Sequence, residues 1–281
     1  MHCHRRELER HANELRSFRP DALIDLCAMT GEDAEQVLGL LDGVRLLVAS
    51  SIDVYRAYSS VMAGIVTDPV PLDEQAALRT DPPPDRNYVT PGFDYDPARY
   101  EKLEVEATYL ARGGTVCRLP MIYGEHDYKR REEFILRRVR AGRNRIPVGS
   151  ASWLWSRGHA EELAAGIRLA LEADHASGEV FNLCEARCEP IRTWACRILA
   201  AAESSAELVE VPDEALPGDL DITATIPQHW AADPGKAHAL LGWRHSPPDP
   251  PVRRSVKWHL DHPPLAGHTD FRADDAALAC A

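Results

Sequence analysis

The run Leu46-Leu47-Val48-Ala49-Ser50-Ser51-Ile52-Asp53-Val54-Tyr55 constrains the fold more than any other stretch of the chain. Four apolar or small residues closed by two hydroxyls and an aromatic read as a buried parallel strand that delivers polar groups at its carboxyl end. Open α/β sheets bind their ligands at that end. Upstream, Ala22 to Ala28 reads as a second short buried strand, and Thr30, Glu32 and Asp33 form a cap-like cluster opening a helix through Leu41. Asp42-Gly43 turns into the strand at Val44 to Ser51. Strand, helix and strand then stand at the spacing that a parallel βαβ crossover needs.

The remaining text extends this plan. Leu8, Ala12 and Leu15 give residues Arg5 to Phe18 the spacing of an amphipathic helix, which Pro20 stops. From Ser59 to Pro91, prolines at 69, 71, 82, 83, 84 and 91 and the lack of a sustained period predict a long loop over the carboxyl end of the sheet. A helix from Pro97 to about Arg112 stops at Gly113-Gly114 and leads to a strand at Thr115 to Leu119. Arginines at 130, 131, 137, 138 and 140 make Arg130 to Gly142 a basic helix, either a solvated face or an anion contact. Ile146 to Trp155 looks strand-like, Glu161 to Ala173 helical, and Glu179 to Leu183 is one more buried strand. Helices at Ile191 to Ala202, Pro234 to Leu241 and Val252 to Leu260, with a strand at Glu207 to Val211, complete a smaller lobe, and the tail after Pro263 is expected to be disordered.

Composition removes several function classes. A net charge of -12 gives no basic footprint, so a nucleic-acid partner is not expected. No apolar run approaches the ~18–20 residues of a membrane span, and His2-Cys3-His4-Arg5-Arg6-Glu7 has no apolar signal core, which points to a cytoplasmic protein without a membrane partner. Seven cysteines with no Cys-x-x-Cys pair argue against a disulfide framework and a zinc ribbon. No metal site is expected, and His2, Cys3 and His4 read as a frayed terminus.

An ordered series of motifs resembles the extended short-chain dehydrogenase/reductases, the NAD-dependent epimerases and dehydratases. Leu47 to Tyr55 is similar to the family's strand ending in Ser-Ser with a following Val-Tyr, and Tyr100 to Glu106 to its active-site helix. Arg118-Leu119-Pro120-Met121-Ile122-Tyr123-Gly124 resembles the strand that ends over the nicotinamide. Trp155 to Ala164, Gly178 to Leu183 and Asp233 to Trp243 resemble the elements that follow. The resemblance implies an α/β fold: a partial Rossmann-like doubly wound parallel sheet with a smaller C-terminal α+β substrate lobe. Residues 1–124 would form an incomplete Rossmann-like domain, with 156–183 returning to the same sheet; 125–155 and 184–262 would form the substrate lobe, and 263–281 the tail.

It also implies chemistry. In such enzymes a Ser or Thr positions a substrate oxygen, a Tyr passes its proton, and a Lys lowers the Tyr pKa, because a phenol near 10 is a poor base at neutral pH without a nearby cation. Ser51 takes the first role and Lys102 the last. Strand alternation points Ser50 and Ser51 to opposite faces, so one of them at most meets the substrate. The family spacing Tyr-x-x-x-Lys places Ala98 where the Tyr should be. Three options stay open: Tyr100 or Tyr95 reaches the site through irregular backbone, or the proton donor is missing. Ala28, Ser50, Lys102, Pro120 and Tyr123 are the expected cofactor contacts, and Asp53, Tyr55, Met121 and Arg157 the expected substrate contacts. Met121 stands where many sugar-nucleotide members have Asn, and Trp153 and Trp155 suit a less polar ligand.

The chain has no glycine-rich turn after a first strand, the feature that lets a pyrophosphate approach a helix N-terminus. Alignment with the family places the start of this sequence after three strands, an N-terminal truncation. The strand at Ala22 to Ala28 then becomes an exposed edge, through which a homodimer is one expected association. NAD or NADP is the implied cofactor, with binding doubtful in a chain so truncated. The implied function is an NAD(P)-dependent epimerase- or dehydratase-like oxidoreductase on a sugar nucleotide or related small hydroxy or keto substrate. The alternative is a non-catalytic binding or regulatory protein that keeps the fold.

Overall fold

The computed structural model describes residues 3–83, 96–265 and 269–281. A 3₁₀ segment, Arg5–His11, runs into helix α1 (Ala12–Phe18), and the chain then enters strand β1 (Ala22–Asp25). Helix α2 (Gly31–Leu38) starts at Thr30, whose hydroxyl accepts from the Asp33 N–H while the Asp33 carboxylate accepts from the Thr30 N–H, a full capping box. Strand β2 (Arg45–Ser51) follows, then helix α3 (Arg56–Ala63), α4 (Lys102–Leu110), β3 (Thr115–Leu119) and β4 (Met121–Tyr123). Helix α5 (Glu133–Arg140), β5 (Arg145–Val148), β6 (Arg157–His159), α6 (Ala160–Glu172) and β7 (Val180–Asn182) come next. The chain closes with α7 (Ile191–Ala201), β8 (Glu207–Glu210), α8 (Gly235–Leu240), α9 (Asp249–Asp261) and α10 (Arg272–Leu278).

The main sheet is parallel throughout, in the order β1-β2-β3-β7. Register runs from Ala22 opposite Arg45, through Leu47 opposite Thr115, to Val116 opposite Val180. Alternation divides the strand residues between two covers, as burial on both faces of a parallel sheet demands. Leu47, Cys117 and Phe181 pack with Leu163, Ile167 and Ala170 of α6, whereas Val48 and Val116 pack with Leu38 of α2 and with Val105 and Tyr109 of α4. Two further parallel pairs, β4-β6 and β5-β8, lie outside this sheet. Among the described residues β1 has a strand neighbour on one side only, and Ile24 and Leu26 stay exposed there. No helix among the described residues is long and apolar enough to cross a membrane.

Four expectations change. The stretch expected as loop from Ser59 opens inside α3, which starts directly after Tyr55 and ends at Gly64 in the left-handed region, φ 66°. Arg157–His159, expected only to precede a helix, is a strand bonded to β4. The strand expected over Ile146 to Trp155 closes at Val148, and Gly149 has no room for a Cβ, which would sit 2.5 Å from Asp213 Oδ1. The tail expected to be disordered contains α10. Arg138, fully buried on the basic helix, donates to Asp274 Oδ2 at 2.6 Å and to Asp219 Oδ2 at 2.7 Å, and Arg137 stacks over Phe271 at 4.9 Å. The inner arginines of α5 therefore anchor the C-terminal helix rather than line a solvated face.

A buried carboxyl below the site gives a pH-dependent share of stability. The Tyr123 hydroxyl donates to Glu185 Oε1 at 2.9 Å, and burial pushes the Glu185 carboxyl from 4.5 up to about 7 against the pull of Arg157. A raised value favours the protonated form in the folded chain. Its contribution is therefore full below the unfolded value and is lost as pH rises through about 7. Glu185→Gln keeps an acceptor for Tyr123 and removes the titration. In urea unfolding the wild type should lose ~1–3 kcal/mol relative to this variant between about pH 5 and about pH 8. A difference that stays flat with pH contradicts the assignment.

Candidate active site

Strand β2 ends at Ser51, and the chain turns through a 3₁₀ segment, Ile52–Val54, with Ser51 Oγ accepting from the Asp53 N–H at 3.2 Å. This turn forms the floor of a cleft of about 440 Å³ at the carboxyl end of the sheet, reached by Ser51, Asp53, Tyr100, Lys102, Pro120 and Met121. A second cleft of about 340 Å³, between Pro120 and Arg131, shares Pro120, Lys129 and Arg131 with the first.

Tyr100 is not on the helix that carries Lys102. It closes the 3₁₀ segment Pro97–Arg99, Glu101 caps the next element, and α4 begins at Lys102. On one continuous helix a residue two before Lys102 would face the opposite side, but Tyr100 lies before the helix and reaches the cleft through irregular backbone. Its hydroxyl donates to Asp53 Oδ2 at 2.7 Å. Lys102 is buried and donates from Nζ to Ala28 O at 2.6 Å and Ala49 O at 3.2 Å, tying together the ends of β1 and β2.

Electrostatics follow from these partners. Burial and the adjacent Asp53 carboxylate push the Tyr100 phenol well above 10, and Arg79 opposes them only in part. Burial pushes the Asp53 carboxyl up, against the Tyr100 hydrogen bond and the charges of Arg79 and Lys102. Burial likewise pulls the Lys102 ammonium down. Tyr100 therefore keeps its proton at neutral pH, and that proton is directed at Asp53.

Two residues to which the sequence reading gives no role, Arg79 and Glu101, hold this arrangement. Arg79, buried, grips both Glu101 oxygens at 2.5 and 2.9 Å and donates to Asp53 O at 3.0 Å. It joins the turn after β2 to the cap of α4, and so fixes Tyr100 against Asp53. An ion pair between positions 79 and 101 leaves no periodic or motif signal in the sequence.

Other expected site residues fall elsewhere. Ser50 points to the opposite face from Ser51, where its hydroxyl donates to Glu106 Oε1 at 2.5 Å in the buried layer. Tyr55 is buried and donates to Asn182 Oδ1 at 2.7 Å. Arg157 is buried and donates to Glu189 O at 2.6 Å. Tyr123 borders the second cleft with its hydroxyl on Glu185, and Ala28 offers its carbonyl to Lys102. Tyr95 lies outside the described residues.

The turn from β1 into α2 is the first strand-to-helix turn among the described residues, and in the family alignment it is not the glycine-rich one. Its N–H groups already have carboxylate partners: Cys27 and Ala28 on Asp25 Oδ1 at 3.0 Å each, Met29 and Thr30 on Asp33 Oδ2 at 2.9 and 3.1 Å, and Gly31 on Glu104 Oε2 at 3.4 Å. Asp25 is in turn gripped by Arg5 at 2.7 and 2.8 Å and by the Tyr109 hydroxyl at 2.8 Å. A phosphate there would have to displace bound carboxylates from donors it needs itself. These residues do not fit a dinucleotide pyrophosphate.

No protein-family model matches the sequence, and no curated protein matches it. Solved structures do. A UDP-glucose 4-epimerase from Stenotrophomonas maltophila, solved with NAD and formylated UDP-arabinopyranose, is 18% identical with a TM-score of 0.64 over 93% of this chain and 82% of that one. The NAD complex of dTDP-glucose 4,6-dehydratase from Bacillus anthracis is 15% identical, with a TM-score of 0.63 over 91% of this chain and 77% of its own. Another UDP-glucose 4-epimerase is 14% identical, with a TM-score of 0.66 over 96% and 86%. The fold of this chain is that of the NAD(P)-dependent epimerases and dehydratases of the extended short-chain dehydrogenase/reductase group.

Proposed function

We propose that this chain is an epimerase- or dehydratase-like protein that takes a small hydroxy or keto substrate into the β2 cleft and binds NAD(P) weakly or not at all. The carrying observation is the convergence of Ser51, Asp53, Tyr100 and Lys102 on one cleft at the carboxyl end of a parallel sheet. The likeness to a UDP-glucose 4-epimerase and a dTDP-glucose 4,6-dehydratase brings sugar nucleotides into consideration as substrates. In this reading Ser51 orients the substrate oxygen, and Tyr100, kept protonated beside Asp53, offers its hydroxyl to that oxygen as a hydrogen-bond partner. Lys102 holds the strand ends together and adds positive charge beside Asp53. The lack of a glycine-rich turn in the sequence supports the impaired cofactor site, the carboxylate-filled turn after β1 offers no replacement cradle, and no step is assigned to a nicotinamide.

A binding or regulatory protein without turnover is the second reading. The Tyr100–Asp53 bond favours it, because a neighbouring carboxylate opposes the phenolate that the Tyr-Lys device of such enzymes is built to form.

Titration of the purified chain with NADH and NADPH, followed by nicotinamide fluorescence, tests the cofactor part. Saturation is expected for neither below ~1 mM. A micromolar dissociation constant for either overturns the impairment.

A further inference from the structure

We propose that the β2 cleft selects an aromatic hydroxy or keto acid, a planar apolar body with an oxygen at one end and an anionic group at the other, over a sugar nucleotide. The inference rests on the reading of this cleft as a substrate site.

Four rings run continuously along the cleft. Tyr58 lies 4.7 Å from Trp230 between centroids, Trp230 lies 5.7 Å from Trp155 with the planes 12° apart, and Trp155 lies 5.0 Å from Trp153. Two of their polar edges are turned to backbone carbonyls. Trp230 Nε1 donates to Ile52 O at 3.0 Å and Trp153 Nε1 to Gln228 O at 2.9 Å, while Trp155 Nε1 is buried without a hydrogen-bond partner among the described residues. Val61, Met62, Met29 and Met121 add further apolar surface.

Polar groups among the described residues are segregated. Ser51, Asp53, Tyr100 and Lys102 gather at the end of β2. Lys129 and Arg131 stand where the cleft meets the second one, and the Arg131 guanidinium lies 5.6 Å from the centre of the Trp155 ring. A sugar ring carries hydroxyls around its whole rim. Each one pressed against Val61, Met62 or Met121 would lose water without gaining a partner. A planar aromatic ligand loses nothing there and gains ring contacts with Trp153, Trp155 and Trp230. Its hydroxyl or carbonyl meets Ser51 and Tyr100, and its carboxylate meets Lys129 and Arg131.

Calorimetric titration of the full chain with para-coumarate, para-coumaryl alcohol and UDP-glucose tests this. Para-coumarate should bind at least ~10-fold tighter than UDP-glucose. Trp155→Ala should weaken it by ~10-fold or more, while Trp155→Phe, which keeps a ring, should retain most of the affinity. Arg131→Gln should weaken the acid and leave the alcohol unchanged. Tighter binding of UDP-glucose, or indifference to Trp155→Ala, overturns the aromatic-acid proposal and leaves the substrate cleft standing. Heat from none of the three overturns both.

Discussion

Replacing Arg118 by Met is expected to lower the unfolding free energy by ~3–5 kcal/mol, because it strands a buried carboxylate. Arg118, 3% exposed, donates to Glu106 Oε1 at 3.0 Å and Oε2 at 2.8 Å, and to the Tyr55 hydroxyl at 3.1 Å. Ser50 shares Glu106, and Tyr55 hands on to Asn182, whose amide donates to Leu72 O at 3.0 Å and Asp233 O at 3.2 Å. One chain of bonds thus crosses β2, α4, β3 and β7. The variant leaves Glu106 dry and unpaired, whereas Arg118→Met with Glu106→Leu removes both charges and should recover most of the loss. Urea unfolding of the two variants measures this, and a loss below ~1 kcal/mol for Arg118→Met contradicts it. The site is exposed to the same failure. Glu106 stands one helical turn beyond Lys102 on α4, so a shift of α4 moves Lys102 away from the ends of β1 and β2.

The second large effect concerns the proton on Tyr100. A Lys close to a phenol stabilises the phenolate and makes a base near neutral pH, while a carboxylate close to it does the reverse. Here the carboxylate has the contact. Asp53 accepts the Tyr100 proton bond, and the Lys102 donors are directed to Ala28 and Ala49. Asp53→Asn removes the charge and keeps a side chain of the same shape, so the Tyr100 phenol should titrate at lower pH than in the wild type. Its ability to hold a proton over the cleft should weaken accordingly.

The parallel sheet was legible because its strands are short apolar runs at crossover spacing, and Leu47, Val48, Val116 and Phe181 are fully buried where that pattern places them. Helix α3 was not, because the proline-rich text after it masks eight residues whose start at Tyr55 has no side-chain cap. Helix α10 was hidden for another reason. Its hold on the protein is the long-range pairing of Asp274 with Arg138, which no local period records. The same separation governs the site. Ser51 and Lys102 follow from a strand end and a motif, and both reach the cleft. Tyr100 could be placed only once the helix was seen to begin at Lys102, and Arg79 and Glu101 only through an ion pair spanning the proline-rich segment.

Ultraviolet titration of the tyrosines in the wild type, Asp53→Asn and Tyr100→Phe tests the central claim most directly. In the wild type Tyr100 should not ionise below the ordinary value near 10. Asp53→Asn should bring its ionisation to lower pH, and the additional Tyr100→Phe substitution should abolish that transition. A wild-type tyrosine ionising near neutral pH, absent from Tyr100→Phe, would contradict the claim and show Tyr100 activated by Lys102 as a base.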